Sequence, residues 1–249
     1  PETVHDLIQQ EAPNHDSVKA LRKTVRRKLH NIMAPYLGEP DYQALTAELL
    51  QLGQTNPDSQ EIRQFCLKVL SEHASTAERI PFLADVYQRI FAVTGQPKTL
   101  LDLACGLHPL AFPWMGLSLT TRYHAYDIIQ PRIDFINLFF QGIGLQPLAH
   151  NRDILAHPPE IQADLCLFFK EAHRFEKRAP GCNQAFWASL KTTWLAVSLP
   201  SHNLAGTHSL AEQHRALVQD NLPEGTHIAH ELVFTNEIVF LIKNQDVSA

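Results

Sequence analysis

The chain has 249 residues, of which 45% are hydrophobic and 19% are charged, so it can bury a sizeable core and does not have the composition of a disordered protein. Its formal net charge of −5 argues against indiscriminate binding of nucleic acid through overall charge. The basic charge is nevertheless concentrated, because residues 19–28 contain six lysines and arginines and no acid.

The sequence also indicates a compartment. No apolar stretch approaches the roughly 18 residues that cross a bilayer, and the polar, acidic segment 1–6 does not resemble a signal peptide. The four cysteines are scattered without a C-x-x-C pair, which favours buried thiols in a reducing environment. His227 and His230 fall in a predicted strand without a cysteine cluster nearby, so we expect no metal site. We therefore expect a cytoplasmic monomer that does not contact a membrane.

The first 95 residues have the spacing of helices. In one helix, apolar residues recur at three- and four-residue steps, which predicts a buried face. These residues are Val18, Leu21, Val25, Leu29, Ile32 and Tyr36. The six basic residues of the same helix lie on an adjoining face, and a solvated helix surface is the alternative to a binding role. Further helices are predicted at 41–53, 58–73 and 76–93, the last capped by Ser75 or Thr76.

From residue 96 onward, predicted strands alternate with predicted helices. Strands are expected at 98–104, 122–127, 146–151, 164–170, 194–199, 226–234 and 237–243, and helices at 109–117, 131–142, 180–192 and 209–221. The alternation predicts a parallel sheet covered on both faces, and the short link before the last strand requires antiparallel pairing there. This is the α/β, Rossmann-like layout of the S-adenosylmethionine-dependent methyltransferase fold, with a seven-stranded mixed sheet. We predict an N-terminal helical domain at 1–95 and a methyltransferase domain at 96–249.

Two predicted strand ends carry the residues of a nucleoside-binding half-site. The first strand ends in a turn of small residues at 104–106, and the next ends in Asp127, whose carboxylate can accept the hydroxyl groups of a ribose. A dinucleotide site needs three glycines where the backbone approaches a pyrophosphate, and here Gly106 is alone. S-adenosyl-L-methionine, which has no phosphates, fits this turn better. The alternative is an ordinary buried strand and turn without a ligand.

Over most of its length the chain resembles the aminoglycoside-resistance 16S rRNA methyltransferases, which modify N7 of a decoding-site guanine, guanine 1405. The resemblance is carried by segments 27–30, 73–79, 101–111, 153–155, 169–170, 196–200 and 240–243, together with Asp127. The H-A-S-T-x-E-R segment at 73–79 is the most specific of these. The resemblance implies an enzyme of EC class 2.1.1 that uses S-adenosyl-L-methionine, acts on 16S rRNA in the assembled 30S subunit and confers aminoglycoside resistance.

The resemblance also implies roles for individual residues. The implied cofactor-binding residues are His73, Ala74, Ser75, Arg79, Ala104, Gly106, Asp127, Asp153, Ile154 and Phe169. Arg79 would bind the methionine carboxylate through two hydrogen bonds, and Asp127 would accept hydrogen bonds from the ribose hydroxyls. Asp153 would accept from the adenine amine, and Ile154 would pack on the adenine ring. Lys170 is a candidate for placing the target base, with a plain surface lysine as the alternative.

The basic helix gains a role from the same resemblance. Its residues would contact ribosomal RNA phosphates, which provide affinity and orientation without reading sequence. These residues are Lys19, Arg22, Lys23, Arg26, Arg27 and Lys28.

The chemistry of the implied target restricts the catalytic residues. Guanine N7 has a lone pair and no proton, so we predict no catalytic acid–base residue, and the work of the protein is alignment of the reactants. Two segments depart from the family pattern: the loop at 201–210 lacks fixed positive charge, and 171–175 lacks the usual leucines and proline. They leave open a methyltransferase of another RNA site or of a small molecule, or a non-catalytic ribosome-associated relative.

Overall fold

Helices fill the first part of the chain, and a sheet with its covering helices follows. The computed structural model describes residues 2–33, 39–55, 57–202 and 209–245. Within them the helices are α1 (Glu2–Glu11), α2 (Val18–Met33), α3 (Tyr42–Gln54), α4 (Ser59–Ser71), α5 (Ala74–Ala77), α6 (Leu83–Thr94), α7 (Phe112–Met115), α8 (Gln130–Gly142), α9 (Ala172–Arg178), α10 (Cys182–Ser189) and α11 (Ala211–Asp220). The strands are β1 (Thr99–Leu103), β2 (Arg122–Asp127), β3 (Ala149–Asn151), β4 (Ala163–Phe169), β5 (Thr192–Pro200), β6 (Thr226–Val233) and β7 (Glu237–Asn244).

The described strands form one mixed sheet in the order β3-β2-β1-β4-β5-β7-β6. β1 to β5 run parallel, and β7 is antiparallel to both β5 and β6. The predicted fold class and the predicted terminal hairpin are therefore confirmed. Because β2 and β4 flank β1, the strand order reverses between β1 and β4. In such sheets ligands bind beyond the carboxyl ends of the strands at this reversal.

Both faces of the sheet are buried along β1, β2, β4, β5 and β7, where alternate residues divide between two hydrophobic clusters. In β1, Leu100 belongs to the cluster under α3, α4, α6 and α8, whereas Leu101 belongs to the cluster under α9, α10 and α11. This alternation follows from the two-residue period of a strand. Helices α3, α4 and α6 share a core with the sheet, whereas among the described helices α1, α2 and the short α5 contribute no residue to these two clusters. The division into domains at 1–95 and 96–249 stays a prediction.

Helices α1 and α2 pack against each other as a hairpin. Leu7 of α1 and Val25 of α2 are 2% and 7% exposed, and Lys28 forms an ion pair with Glu11 at 2.5 Å. The predicted buried face of α2 is thus correct at Val25 but wrong at Val18, which is 82% exposed at the start of the helix. Tyr36, placed on the same predicted face, lies outside the described residues.

The helix predicted at 76–93 is wrong in its first part. The short α5 begins after His73, a 3-10 turn occupies Ile80–Phe82, and α6 begins only afterwards. Pro81 has no N–H to donate, so a regular helix does not continue through it. Neither Ser75 nor Thr76 is an N-cap; the Thr76 hydroxyl instead lies 2.6 Å from the backbone oxygen of Leu70 and 2.9 Å from that of His73. The segment therefore forms a bend rather than one long helix.

A second difference lies between β4 and β5. No helix is predicted where the structure has α9, and the helix predicted at 180–192 is too long, because α10 ends before Thr192 begins β5. Gly181, with a φ of 77°, lies between the two helices in a conformation that side chains other than glycine rarely adopt. The segment 171–175, which departs from the family pattern, thus lies beside the carboxyl end of β4 and mostly within α9.

The cysteines are free thiols, and Cys66, Cys105 and Cys166 are buried as predicted. Burial raises the pKa of the Cys66 thiol to about 12. None of the described helices is both long and apolar enough to span a membrane. Within the described part of the chain, no three or more histidine, cysteine or acidic side chains are grouped so that they could hold a metal ion.

Candidate cofactor-binding site

The turn after β1 has a backbone that small residues favour. Ala104 and Gly106 have φ values of 51° and 54°, in the left-handed region that costs residues with a side chain about 1–2 kcal/mol. The Cys105 N–H donates to the carbonyl oxygen of Tyr126 at 2.9 Å, which ties the turn to the end of β2. The turn therefore exposes backbone at the carboxyl end of β1, where a ligand can approach closely.

A buried chain of polar side chains holds this turn from beneath. Asp102 of β1 accepts from the Tyr123 hydroxyl at 2.6 Å and pairs with His108 Nδ1 at 2.8 Å. His108 Nε2 lies 2.6 Å from the Tyr87 hydroxyl of α6. With Nδ1–H donating to Asp102, Nε2 can accept from the Tyr87 hydroxyl, so a single tautomer of the ring satisfies both partners. Asp102 therefore supports the turn from beneath, and it also lines the narrow cleft beside the turn.

Asp127 ends β2 directly beside the turn and is 6% exposed. Its Oδ2 accepts from the Gly106 N–H at 3.0 Å and from Arg132 Nη1 at 2.7 Å, and its Oδ1 accepts from the Ile129 N–H at 2.9 Å. Arg132 comes from α8 and is only 1% exposed. The carboxylate is thus held in one orientation on the wall of a cavity, where a carboxylate can still accept further hydrogen bonds.

The cavity beyond these strand ends has a volume of about 850 Å³. Four predicted cofactor residues line it: Ala104, Asp127, Asp153 and Ile154. Leu7, Arg27, Lys28 and Ile32 of α1 and α2 also line it. The hairpin therefore covers the carboxyl ends of the strands, which the sequence does not predict.

A narrower cleft of about 30 Å³ adjoins the cavity, and Ala104 lines both. The cleft is also lined by five other predicted cofactor residues, His73, Ser75, Arg79, Gly106 and Phe169. His73 Nδ1 lies 2.7 Å from the Ser75 hydroxyl, and burial followed by the charge of Arg132 lowers the pKa of His73. Of the ten predicted cofactor residues, Ala74 alone lines neither of these two cavities among the residues that the structure describes.

Arg79 and Lys170 share one buried carboxylate. Arg79, 2% exposed, donates from Nε and Nη2 to Glu237 at 3.1 and 2.5 Å. Lys170 donates to Glu78 at 2.7 Å and lies 3.7 Å from Glu237. Burial alone would raise the pKa of Glu237, but the charges of Arg79 and Lys170 hold it below its usual value. Two Arg79 nitrogens are thus engaged by Glu237, and the Lys170 ammonium is paired rather than presented to solvent.

Asp153 follows β3 and lies on the wall of the larger cavity. Arg178 of α9 binds both of its oxygens, through Nη1 at 2.9 Å and Nη2 at 2.7 Å. Burial alone would raise the pKa of Asp153, but the hydrogen bonds and the charge of Arg178 hold it below its usual value. Ile154, 3% exposed, follows on the same wall. An ionised acceptor and an apolar side chain therefore adjoin one another there.

The predicted basic residues of α2 are present as one surface. Lys19, Arg22, Lys23, Arg26 and Arg27 are exposed. Lys28 differs from them, because its ammonium is paired with Glu11. The exposed part of this set is available to a polyanion.

The site fits a nucleoside without phosphates. The turn of 104–106 exposes backbone, the Asp127 carboxylate can accept hydroxyl groups, and the Asp153 carboxylate beside Ile154 can receive a base with an exocyclic amine. These groups adjoin a narrow cleft with buried charges that suit an amino acid. Fold and site together define the class of Rossmann-like, S-adenosylmethionine-dependent methyltransferases.

Comparison with known proteins narrows this class. The model of the family described as "Ribosomal RNA methyltransferase (FmrO)" matches residues 1–224, and the chain belongs to this family. A 16S rRNA (guanine(1405)-N(7))-methyltransferase of Micromonospora echinospora is 30% identical over 235 residues, which cover 93% of this chain and 85% of the relative. The enzyme of the same name from Serratia marcescens is 31% identical over 244 residues, covering 98% and 91%.

Solved structures similar to this chain are also rRNA methylases. The 16S rRNA methylase RmtB has a TM-score of 0.80 at 29% identity and covers 98% of this chain and 90% of its own. An rRNA methylase from Escherichia coli has a TM-score of 0.78 at 30% identity, with 98% and 92% covered. The predicted family, the predicted class of enzyme and S-adenosyl-L-methionine as its cofactor are therefore confirmed, and ribosomal RNA is its class of substrate.

Three residues of the site are absent from the sequence-based prediction. Arg132 is an arginine among the apolar residues of α8, and Glu237 begins an apolar strand; a charged residue in such surroundings is the signal that could have found them. No local signal singles out Arg178, which lies in a polar helix.

Proposed function

We propose that this protein transfers a methyl group to N7 of guanine 1405 of 16S rRNA, the reaction that the names of its relatives describe, and that its substrate is the assembled 30S subunit. It would act in the cytoplasm, where 30S subunits are, and protect them from aminoglycosides that contact this guanine. The observation that carries the proposal is the cavity at the strand-order reversal, which is lined by Asp127 and Asp153 and by the basic hairpin.

The cofactor would lie along the carboxyl ends of β2, β1 and β4. Asp127 would accept the ribose hydroxyls, and Asp153 with Ile154 would receive the adenine. The methionine end would enter the cleft beside His73 and Ser75, where Arg79 would meet its carboxylate through Nη1, the nitrogen not used by the two bonds to Glu237.

Methyl transfer to guanine N7 requires the protein mainly to align the cofactor and the target base. When bound, S-adenosyl-L-methionine supplies a methyl group on a sulfonium, and guanine N7 needs no deprotonation before it attacks. The protein orients the two reactants and excludes water through the hairpin that covers the cavity. Lys170 stays a candidate for placing the base; its pairing with Glu78 means that it would act by releasing that carboxylate.

The substrate would dock through the α2 surface. Lysine and arginine side chains there would contact rRNA phosphates, and a base flipped out of its helix would reach the cavity. Arg27 and Lys28 belong to both the basic helix and the cavity wall, so the docked RNA would lie next to the cofactor.

A methyltransferase of a different rRNA nucleotide is the second candidate. Glu171, His173 and Arg174 line the larger cavity, and these residues belong to the segment that departs from the family pattern. Residues that differ from the family pattern beside the target base are a specific reason to expect that a different nucleotide is methylated. Most of the loop at 201–210, the other departure, lies outside the described residues.

One experiment separates these candidates. Purified protein is incubated with bacterial 30S subunits and S-adenosyl-L-methionine labelled in its methyl group, and 7-methylguanine is located by borohydride–aniline cleavage and primer extension. We expect one new cleavage site, at guanine 1405, and none with the Asp127→Asn protein. Label at another 16S nucleotide, or only on the 23S rRNA of 50S subunits incubated in parallel, supports the second candidate. No label on the rRNA of either subunit overturns both.

A further inference from the structure

Two arginines connect the acidic residues of the cofactor site to the N-terminal helices. Arg132 bonds Asp127 at 2.7 Å and also bonds Glu39, which precedes α3. Arg178 bonds Asp153 through both oxygens and also lies 3.3 Å from the Asp6 carboxylate of α1. Each arginine thus holds one carboxylate of the cofactor site and one carboxylate from the first 39 residues.

The second of these connections joins three separate segments of the chain. Asp153 belongs to the loop after β3, Arg178 to α9, and Asp6 to the hairpin of α1 and α2. The Arg178 and Asp6 side chains are 12% and 25% exposed, so the pair is largely shielded from solvent. The Thr3 side chain of α1 also donates a hydrogen bond to Asp153. Helix α1 therefore contributes to the contacts that hold Asp153, directly through Thr3 and indirectly through Asp6 and Arg178.

We propose that Arg178 is a positioning residue: it orients the Asp153 carboxylate toward adenine, and Asp6 in turn holds Arg178 in place. The Asp6–Arg178 contact thereby couples docking of the hairpin to cofactor binding. The adenine amine needs an ionised, correctly turned Asp153 carboxylate, and a two-bond arginine contact fixes both properties. The inference rests on the proposed role of Asp153 and, for the coupling, on the proposed docking of α2 on rRNA.

The coupling follows from the packing of the hairpin. α1 and α2 are joined by the Lys28–Glu11 ion pair and by the buried Leu7 and Val25. RNA contacts that hold α2 also hold α1, so they keep Asp6 against Arg178. Because linkage is reciprocal, a docked ribosomal subunit raises the affinity for the cofactor, and a bound cofactor raises the affinity for the subunit.

The first test needs no ribosome. Calorimetry measures the dissociation constant of S-adenosylhomocysteine, and of its inosyl analogue in which an oxygen replaces the adenine amine, for four proteins: wild type, Asp6→Asn, Arg178→Gln and the double variant. We expect Asp6→Asn to weaken binding of the adenosyl compound by at least about fivefold. We expect the double variant to match Arg178→Gln, because Asp6 acts only through that arginine.

The inosyl analogue distinguishes a loss of adenine positioning from a general loosening of the fold. Since the analogue has no amine for Asp153 to accept from, both single variants should lose the preference for the adenosyl compound, whereas a merely loosened fold weakens both compounds equally. Arg178→Lys, which keeps one charge but not the two-bond geometry, should restore part of the preference. Asp16→Asn, an equal charge change at an exposed residue of the hairpin, is the control and should match wild type. Equal weakening of both compounds, or additive losses in the double variant, would overturn the assignment.

The second test adds 30S subunits. We expect the subunit to tighten S-adenosylhomocysteine binding by at least about fivefold in wild type and to tighten it much less in Asp6→Asn. Equal tightening in both proteins overturns the coupling. If wild type does not bind 30S subunits, the proposed function fails instead, and the ribosome-free measurements still decide the role of Arg178.

Discussion

Replacing Glu237 with glutamine is expected to lower the free energy of unfolding by about 3–5 kcal/mol, the usual consequence of removing one partner of a buried ion pair. The Glu237 side chain is 0% exposed and accepts two hydrogen bonds from Arg79, whose side chain is 3% exposed. The ammonium of Lys170 lies 3.7 Å from the same carboxylate. The neutral amide removes the carboxylate that both buried cations share, and the acid that remains paired with Lys170, Glu78, is 39% exposed. The loss therefore comes from uncompensated buried charge.

Urea unfolding at pH 7, followed by circular dichroism, measures this change. In a protein of this size each kcal/mol corresponds to about 2–4 °C, so thermal unfolding should shift down by about 6–20 °C. Glu48→Gln is the matched control, because Glu48 pairs with Lys68 at 2.5 Å with side chains 40% and 52% exposed. An exposed pair of this kind should contribute about 0.5 kcal/mol or less.

The stability difference between wild type and Glu237→Gln should depend on pH in a defined direction. Although burial would raise the pKa of Glu237, Arg79 and Lys170 hold it below the usual 4.5. A carboxyl with a lowered folded pKa contributes stability above its unfolded pKa and loses that contribution as the pH falls through the folded value. The difference between wild type and Glu237→Gln should thus be largest near pH 7 and shrink below about pH 4.5. A difference independent of pH, or a loss no larger than that of Glu48→Gln, would refute this reasoning.

Two further substitutions examine the turn and the basic helix. Gly106→Ala places a side chain at a φ of 54° and should weaken S-adenosylhomocysteine binding in calorimetry by about tenfold. Gly53→Ala, in α3 with open space around it, should leave that affinity unchanged, and equal affinities for both variants would contradict the role of the turn. Neutralising Arg22, Lys23 and Arg26 with glutamine should reduce the salt dependence of 30S binding by about 2 in log–log slope. A slope that stays at the wild-type value would remove α2 from the interface.

Much of the fold was predictable because its signals are local. The small-residue turn and Asp127 each follow an apolar strand, and parallel strands bring their carboxyl ends to one edge, so the sequence predicts that Gly106 and Asp127 are neighbours. Their observed hydrogen bond is 3.0 Å long. The basic face of α2 and the terminal hairpin were predictable for the same reason, since each depends only on spacing along a few turns or one short link.

The rest depends on contacts between distant parts of the chain. Arg79 pairs with Glu237, 158 residues away, and Arg178 meets Asp6 across 172 residues. A single sequence carries no information about such pairs, so the resemblance could place Arg79 at the methionine end but not predict that Glu237 would bind two of its nitrogens. The helix predicted through Pro81 failed for a different reason, because the apolar period continued across a residue that cannot donate a hydrogen bond.

A crystal structure with S-adenosylhomocysteine tests the central claim most directly. We predict that the ligand lies in the 850 Å³ cavity, with its ribose hydroxyls within hydrogen-bonding distance of Asp127 and its adenine amine against Asp153. A ligand found elsewhere, or density absent beside Gly106 at saturating concentration, would contradict the account.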